Sequence, residues 1–313
     1  MNILVTGGAG FIGRWVVKLL LKKCHDIWVL DNLSNSTEKN LNEFKSDPHF
    51  KNFVKGDILD RFTVSKIFKN KIDICIHLAA QVDVQESLED PKKALDVNVI
   101  GTFNLLEEAR KHNTKFVLMG TCMVYDVASA SKSIDENHPV KPLSPYAASK
   151  LSAELITESY HYGYGLPTVI IRPFNTYGPF QKSNLEGSVV GVFINRNLAG
   201  KELVVYGDGT QTRDFLYVED CADFIVKAAF SERANGQTIN AGLGKDISIN
   251  ELAFMITNDK NRIKHVPHHH PQAEIQKLLC NSSKAKEVLN WVPHTSLVEG
   301  IKRTEKSLKG DPI

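Results

Sequence analysis

The chain has 313 residues, 42% hydrophobic and 24% charged, enough for a sizeable core in one large or two modest domains. Its 38 basic and 36 acidic residues leave a formal charge of +2, dispersed along the chain, which excludes the strong basic field that nucleic acid or a membrane surface would select. The start MNILVTGGAGFIG lacks the pattern of a signal peptide, no window holds about 18 uninterrupted apolar residues, and five scattered cysteines without a CxxC pair suit reduced thiols, so the expected location is the cytoplasm.

In chain order, NILVT is a β-branched run ending in glycines, RWVVKLLLKK spaces apolar residues at helical period, and DIWVLDN returns to strand composition. That is a βαβ unit. Further strands are expected at FVKGD (53–57), ICIHLAA (74–80), FVLMGT (116–121) and TVIIRPF (168–174), with helices near 91–112 and 146–162. This alternation implies an α/β fold, a Rossmann-type doubly wound parallel sheet. After Pro173 the rhythm loosens through GPFQKSNLEGSV and VVYGDGTQTRDF, so residues 1–174 are expected to bind a dinucleotide and carry the catalytic residues. Residues 175–313 are then a smaller lobe that mainly binds substrate.

The first motif is TGGAGFIG, in which Gly7, Gly10 and Gly13 lie between a strand and a helix opened by Phe11 and Ile12. Small residues there permit a tight turn, backbone approach to a pyrophosphate and close helix packing. Asp31, followed by Asn32, ends the next strand about 20 residues on, where an acid hydrogen-bonds a ribose diol and disfavours a 2′-phosphate, hence NAD rather than NADP. Asp57 and Ile58 of GDILD would flank an adenine, although a strand-end turn with a helix cap reads as well from the same residues. In YAASK, Tyr146 and Lys150 are four apart on one helix face, so an ammonium can lower the phenol's pKa and let it take a hydroxyl proton.

With TGGAGFIG, GDI, HLAAQ, NVIGTFNLLEEAR, SPYAASK, IRPFNTYGP, VYGDGTQTRDFLYVED and SKAKEVLNWVP in this order, the chain resembles the extended short-chain dehydrogenase/reductases that modify nucleotide sugars, from Met1 to about Lys302. The resemblance implies that Leu78, Ala79, Ala80 and Gln81 line the ribose and pyrophosphate side of NAD, that Asn98 lies near the nicotinamide half, and that Pro173 belongs to the cofactor set. It implies that Thr121 bonds the reacting hydroxyl beside Tyr146, and that Gln81, Asn175 and Arg213 bind a nucleoside-diphosphate sugar, the arginine through its phosphates. Helices 91–112 and 146–162 pair across a two-fold axis in relatives, so a homodimer through a four-helix bundle is expected.

GTCMVYD departs from the dehydratase pattern. Where 4,6-dehydratases carry Asp-Glu, this chain has Cys122 and Met123, so the carboxylate base is missing and the thiol is the ionisable replacement. The same pair resembles the UDP-N-acetylglucosamine 5,6-dehydratases of the tunicamycin type, which implies a 5,6-ene product after transient oxidation at C4. A UDP-hexose 4-epimerase, in which Cys122 and Met123 only pack, is the alternative; a variant 4,6-dehydratase and a non-catalytic NAD sensor come after it. Asp126 stands where relatives commonly have glycine. HVPHHH (265–270) lacks the spacing of a metal site, and NAGLGKDISINEL (240–252) reads as a loop and a serine-capped helix start.

Overall fold

A computed structural model of the protein describes residues 1–128, 132–182, 188–268 and 271–310. The strands are β1 (Asn2–Thr6), β2 (Asp26–Asp31), β3 (Phe50–Lys55), β4 (Ile74–His77), β5 (Lys115–Met119), β6 (Thr168–Pro173), β7 (Asn175–Tyr177), β8 (Leu203–Tyr206), β9 (Thr212–Tyr217), β10 (Gln237–Ala241), β11 (Asp246–Ser248), β12 (Ile263–Val266) and β13 (Lys277–Leu278). The helices are α1 (Phe11–Lys22), α2 (Arg61–Phe68), α3 (Val84–Glu89), α4 (Pro91–Leu95), α5 (Gly101–His112), α6 (Pro145–Tyr164), α7 (Val189–Leu198), α8 (Val218–Phe230), α9 (Ile249–Thr257), α10 (Ser283–Leu289) and α11 (Leu297–Lys309).

Seven parallel strands form the large sheet in the order β10-β6-β5-β4-β1-β2-β3. Central strands such as β4 and β6 are buried along their whole length, which is why ICIH and TVIIRP are nearly continuous apolar runs. Strand order reverses beside β1, which pairs with β2 on one side and β4 on the other, so a crevice opens at their C-terminal ends. One face packs against α1 and α8, the other against α2, α5 and α6.

The chain crosses between the two layers more often than the break after residue 174 suggests. β7, β9, β11 and β13 form a small second sheet, and β8 pairs with β12. Between them the chain returns: α8 packs on α1, and β10 becomes the edge strand beside β6. α7, α9 and α11 close a separate apolar core over the second lobe, α9 starting at Ser248 with a full capping box to Glu251.

Three local features differ from the expected elements. β4 stops at His77 because Leu78 and Ala79 turn back onto Thr6, the Ala79 N–H donating to Thr6 Oγ1 at 3.2 Å. α3 occupies a stretch with no amphipathic period and is started by Asp83, which accepts from the Glu86 N–H at 2.8 Å. The helix expected over 91–112 contains a π turn, Asp96–Ile100, between α4 and α5. No helix among the described residues is long and apolar enough to cross a membrane.

Candidate active site

The crevice is lined first by the turn after β1. Gly7 is held at φ +69°, and a Cβ on it would stand 2.8 Å from the Ala79 nitrogen, while one on Gly10 would meet the Gly7 carbonyl at 3.0 Å. Gly13 has no room at all against Gly7. Gly10 caps α1 without a side-chain hydrogen bond, so the first-turn N–H groups of Phe11 and Ile12 face the turn, as an anion-binding helix start requires. Asp31 at the end of β2 accepts from the Ala9 and Leu33 N–H groups at 3.1 and 2.9 Å and from Ser36 Oγ at 2.9 Å. Asn32 donates to Asp57 at 2.8 Å, and Ile58 is buried under Gly101. This glycine cradle with an acid across it fits a dinucleotide.

The loop after β4 is clipped to α6. Asn98, in the π turn, accepts from the Gln81 N–H at 2.9 Å and donates to the Gln81 carbonyl at 3.0 Å and to Ser149 Oγ at 2.9 Å. Gln81 donates to the Asp83 carbonyl at 2.6 Å and to Glu86 at 3.0 Å, while its buried Oε1 has no protein partner. Leu78, Ala79 and Ala80 run past the glycine turn partly exposed, and Pro173 is buried at the end of β6.

Thr121 and Tyr146 meet, and Lys150 follows Tyr146 by one turn on α6. Ser144 caps α6 by accepting from the Ala147 N–H at 3.2 Å, and Pro145 fits its first turn, which fixes Tyr146 one residue later. The Thr121 hydroxyl is hydrogen-bonded to the phenol. Burial pushes Tyr146 up to about 12 against that hydrogen bond, with Cys122 and Glu154 adding to the rise. Desolvation is thus the largest effect on the phenol in the protein alone. Burial likewise brings Lys150 down to about 8, opposed by Glu154.

Next to Thr121 begins an apolar wall. Cys122 and the partly buried Met123 pack with Val124, Phe174, Ile275 and Cys280. Burial pushes the Cys122 thiol up to about 12, Arg213 drawing it down and Asp214 raising it. Asp214 itself is fully buried and raised to about 7 by burial, although the Leu243, Gly244 and Cys280 N–H groups donate to it at 2.7, 2.8 and 3.1 Å. Asn175, on β7, has a buried Oδ1 with no protein partner. Arg213 is engaged: it donates to the Thr212 and Ile275 carbonyls at 2.8 and 2.7 Å and pairs with Glu274. Glu274 also meets His268 at 3.1 Å, whereas His269 and His270 of HVPHHH lie outside the described residues. Asp126 caps its own loop, accepting from the Val127 N–H at 2.8 Å.

Sequence reasoning passed over two residues here. Glu154 lies one turn beyond Lys150 on α6 and is bound by Arg172 of β6; its signal was an acid at the Tyr-Lys spacing on a buried face. Glu274 gave none, since nothing local marks it as the partner of an arginine 61 residues earlier.

A family model described as GDP-mannose 4,6 dehydratase matches residues 4–304. The chain is 36% identical over 307 residues to the UDP-glucose 4-epimerase of Mycolicibacterium smegmatis, covering 97% of each. The structure of Pal from Bacillus thuringiensis is similar with a TM-score of 0.97 at 56% identity, covering 99% of both chains. That of the dTDP-glucose 4,6-dehydratase of Streptomyces venezuelae, solved with NAD bound, has a TM-score of 0.92 at 30% identity, covering 99% of this chain and 97% of that one.

Proposed function

The chain belongs to the GDP-mannose 4,6-dehydratase family, within the nucleotide-sugar epimerases and dehydratases, and from that premise we propose that it binds NAD and converts a UDP-linked sugar through transient oxidation at C4. The observation that carries this reading is the Thr121–Tyr146 hydrogen bond, with Lys150 one turn further along α6, in a chain that also has the glycine turn after β1. NAD, when bound, supplies a hydride acceptor and donor at C4. Gly7, Gly10, Gly13, Phe11 and Ile12 would hold its pyrophosphate, Asp31 the adenosine diol, Asn32, Asp57 and Ile58 the adenine side, and Leu78 to Gln81, Asn98 and Pro173 the remainder. Thr121 orients the C4 hydroxyl, Tyr146 takes and returns its proton, and the Lys150 ammonium stabilises the phenolate as it forms. Gln81 and Asn175 offer buried, unpartnered oxygens to the substrate, and Arg213 binds its diphosphate once Glu274 yields.

Two finer readings differ at C5. In the first, the enzyme converts UDP-N-acetylglucosamine to its 5,6-ene with loss of the C5 proton and the C6 hydroxyl, Cys122 being the ionisable group at the positions where a 4,6-dehydratase carries carboxylates. Burial holds the thiol protonated, which opposes its acting as the base that removes the C5 proton. In the second, the enzyme is a 4-epimerase, and the burial of Cys122 among apolar side chains favours that reading. Mass spectrometry of the product from UDP-N-acetylglucosamine separates them: loss of one water supports the first, unchanged mass with inverted C4 the second, and no conversion of any UDP-hexose would sink both.

We further propose a homodimer through α4 to α6. Leu95, Ile100, Phe103 and Leu155 are exposed on these helices, 50%, 46%, 38% and 57% respectively, as a bundle contact requires. Light scattering at micromolar concentration should give twice the chain mass, and Phe103→Asp should halve it; a monomeric wild type would refute the assembly.

A further inference from the structure

Tyr146, Lys150 and Glu154 follow at i, i+4 and i+8 along one face of α6. Glu154 is 2% exposed and accepts from Arg172 Nε at 3.2 and 3.1 Å and from Nη2 at 2.6 Å. The Thr121 N–H donates to the same carboxylate. Gly120 gives it room: a Cβ there would run into Glu154, with Cδ at 3.1 Å. Arg172 also lies over the Tyr125 ring at 4.7 Å, and the Tyr125 hydroxyl donates to Asn240 at 2.8 Å. Burial pushes the Glu154 carboxyl up while Arg172 and Lys150 pull it down. The arginine fork, with both oxygens accepting, is the geometry of the ionised form.

Building on the roles of Tyr146 and Lys150 given above, we propose that Glu154 is a positioning residue for proton transfer, a buried counter-charge to Lys150 that also fixes the backbone of Thr121. The groups around it are Tyr146 and Lys150 on α6, Arg172 on β6, and Cys122 and Tyr125 after β5, while His77 of β4 is acted on by Lys150. Burial holds His77 down at about 3 and both Cys122 and Tyr125 up at about 12, so these three are neutral. Glu154 is then the negative charge acting on the pair, and it raises the proton affinity of Lys150 and Tyr146 alike.

Neutralising it should lower both. In NAD-loaded protein with UDP-N-acetylglucosamine, Glu154→Gln is expected to slide both limbs of the kcat/KM pH profile toward lower pH. Turnover should fall about tenfold at pH 9 and should not fall at pH 6. The ¹³C resonance of Lys150 Cε, assigned with Lys150→Met, should titrate at about tenfold higher proton concentration, and Glu154→Asp should restore most of the shift. A uniform loss at every pH, or an unmoved Lys150 titration in folded Glu154→Gln, overturns the proposal. Should the unpaired Arg172 prevent folding, the comparison becomes Arg172→Met against Arg172→Met/Glu154→Gln, between which the Lys150 titration must still fall. Wild-type turnover by Tyr146→Phe would instead overturn the tyrosine's role, while the lysine titration continues to test Glu154.

Discussion

On the α6 side of the crevice, Lys150, Glu154 and Arg172 are at most 7% exposed and carry three charges; on the apolar wall Cys122, Phe174, Ile275 and Cys280 are at most 3% exposed and are themselves neutral, with Arg213 and the buried Asp214 beside the thiols. Burial is the same on both walls, so burial does not decide where charge survives. On the first wall Glu154 and Arg172 pair at short range, and Glu154 also opposes the desolvation of Lys150. On the second, the thiols meet mainly apolar atoms, and burial raises both Cys122 and Cys280. On the function proposed above, proton traffic at C4 belongs to the α6 wall, and Cys122 is the thiol next to Thr121.

Tyr146→Phe should sharpen this contrast most, lowering turnover by about 10²–10⁴ while NAD remains bound and the fold intact. Both are readable from turnover and bound-cofactor absorbance, and a loss below about tenfold would break the assignment of proton traffic to α6. Cys122→Ala tests the apolar wall where it adjoins Thr121. If the thiol carries the C5 proton, deuterium uptake at C5 in heavy water falls by about 10²–10⁴ with C4 oxidation retained; unchanged product formation makes it packing alone. Arg172→Met leaves a buried carboxylate unpaired and should cost about 3–5 kcal/mol in a denaturant titration. Cys280→Ala, equally buried but neutral, should cost about 1 kcal/mol. If the two cost the same, burial outweighs pairing and the comparison fails. The smallest effect is expected of Glu274→Gln, which releases Arg213 and should lower KM for the UDP-sugar by about two- to fivefold.

The cofactor turn and the Tyr-Lys pair were legible because each is a spacing within eight residues, and the chemistry needs little beyond that spacing. Glu154 is just as local, yet its meaning depends on Arg172, which reaches it only because β6 lies beside β5. Arg213 shows the reverse: its type was readable, but its engagement by Glu274 arises from the pairing of β13 with β9, which no sequence window contains. The alternation of the first six strands with helices was readable from composition and period, while the return of β10 to the edge of their sheet was not. Nor was the π turn, since Asp96–Ile100 has no residue that distinguishes it from ordinary helix. The α3 helix was marked only by its Asp83 cap.

The return of α8 and β10 to the large sheet leaves the molecule without a seam. A piece ending at residue 174 would lack the strand that covers β6 and the helix that covers α1, exposing Val16, Val17, Val169 and Ile171, all fully buried in the intact protein. Such a fragment should be insoluble, and a cofactor-binding half should not be separable by limited proteolysis. The second lobe emerges from loops on either side of α8 and β10, so a ligand that orders it also restrains the edge of the large sheet. Heat should then melt the chain in one transition, and a UDP-sugar should slow amide exchange in β6 and β10 as well as around itself.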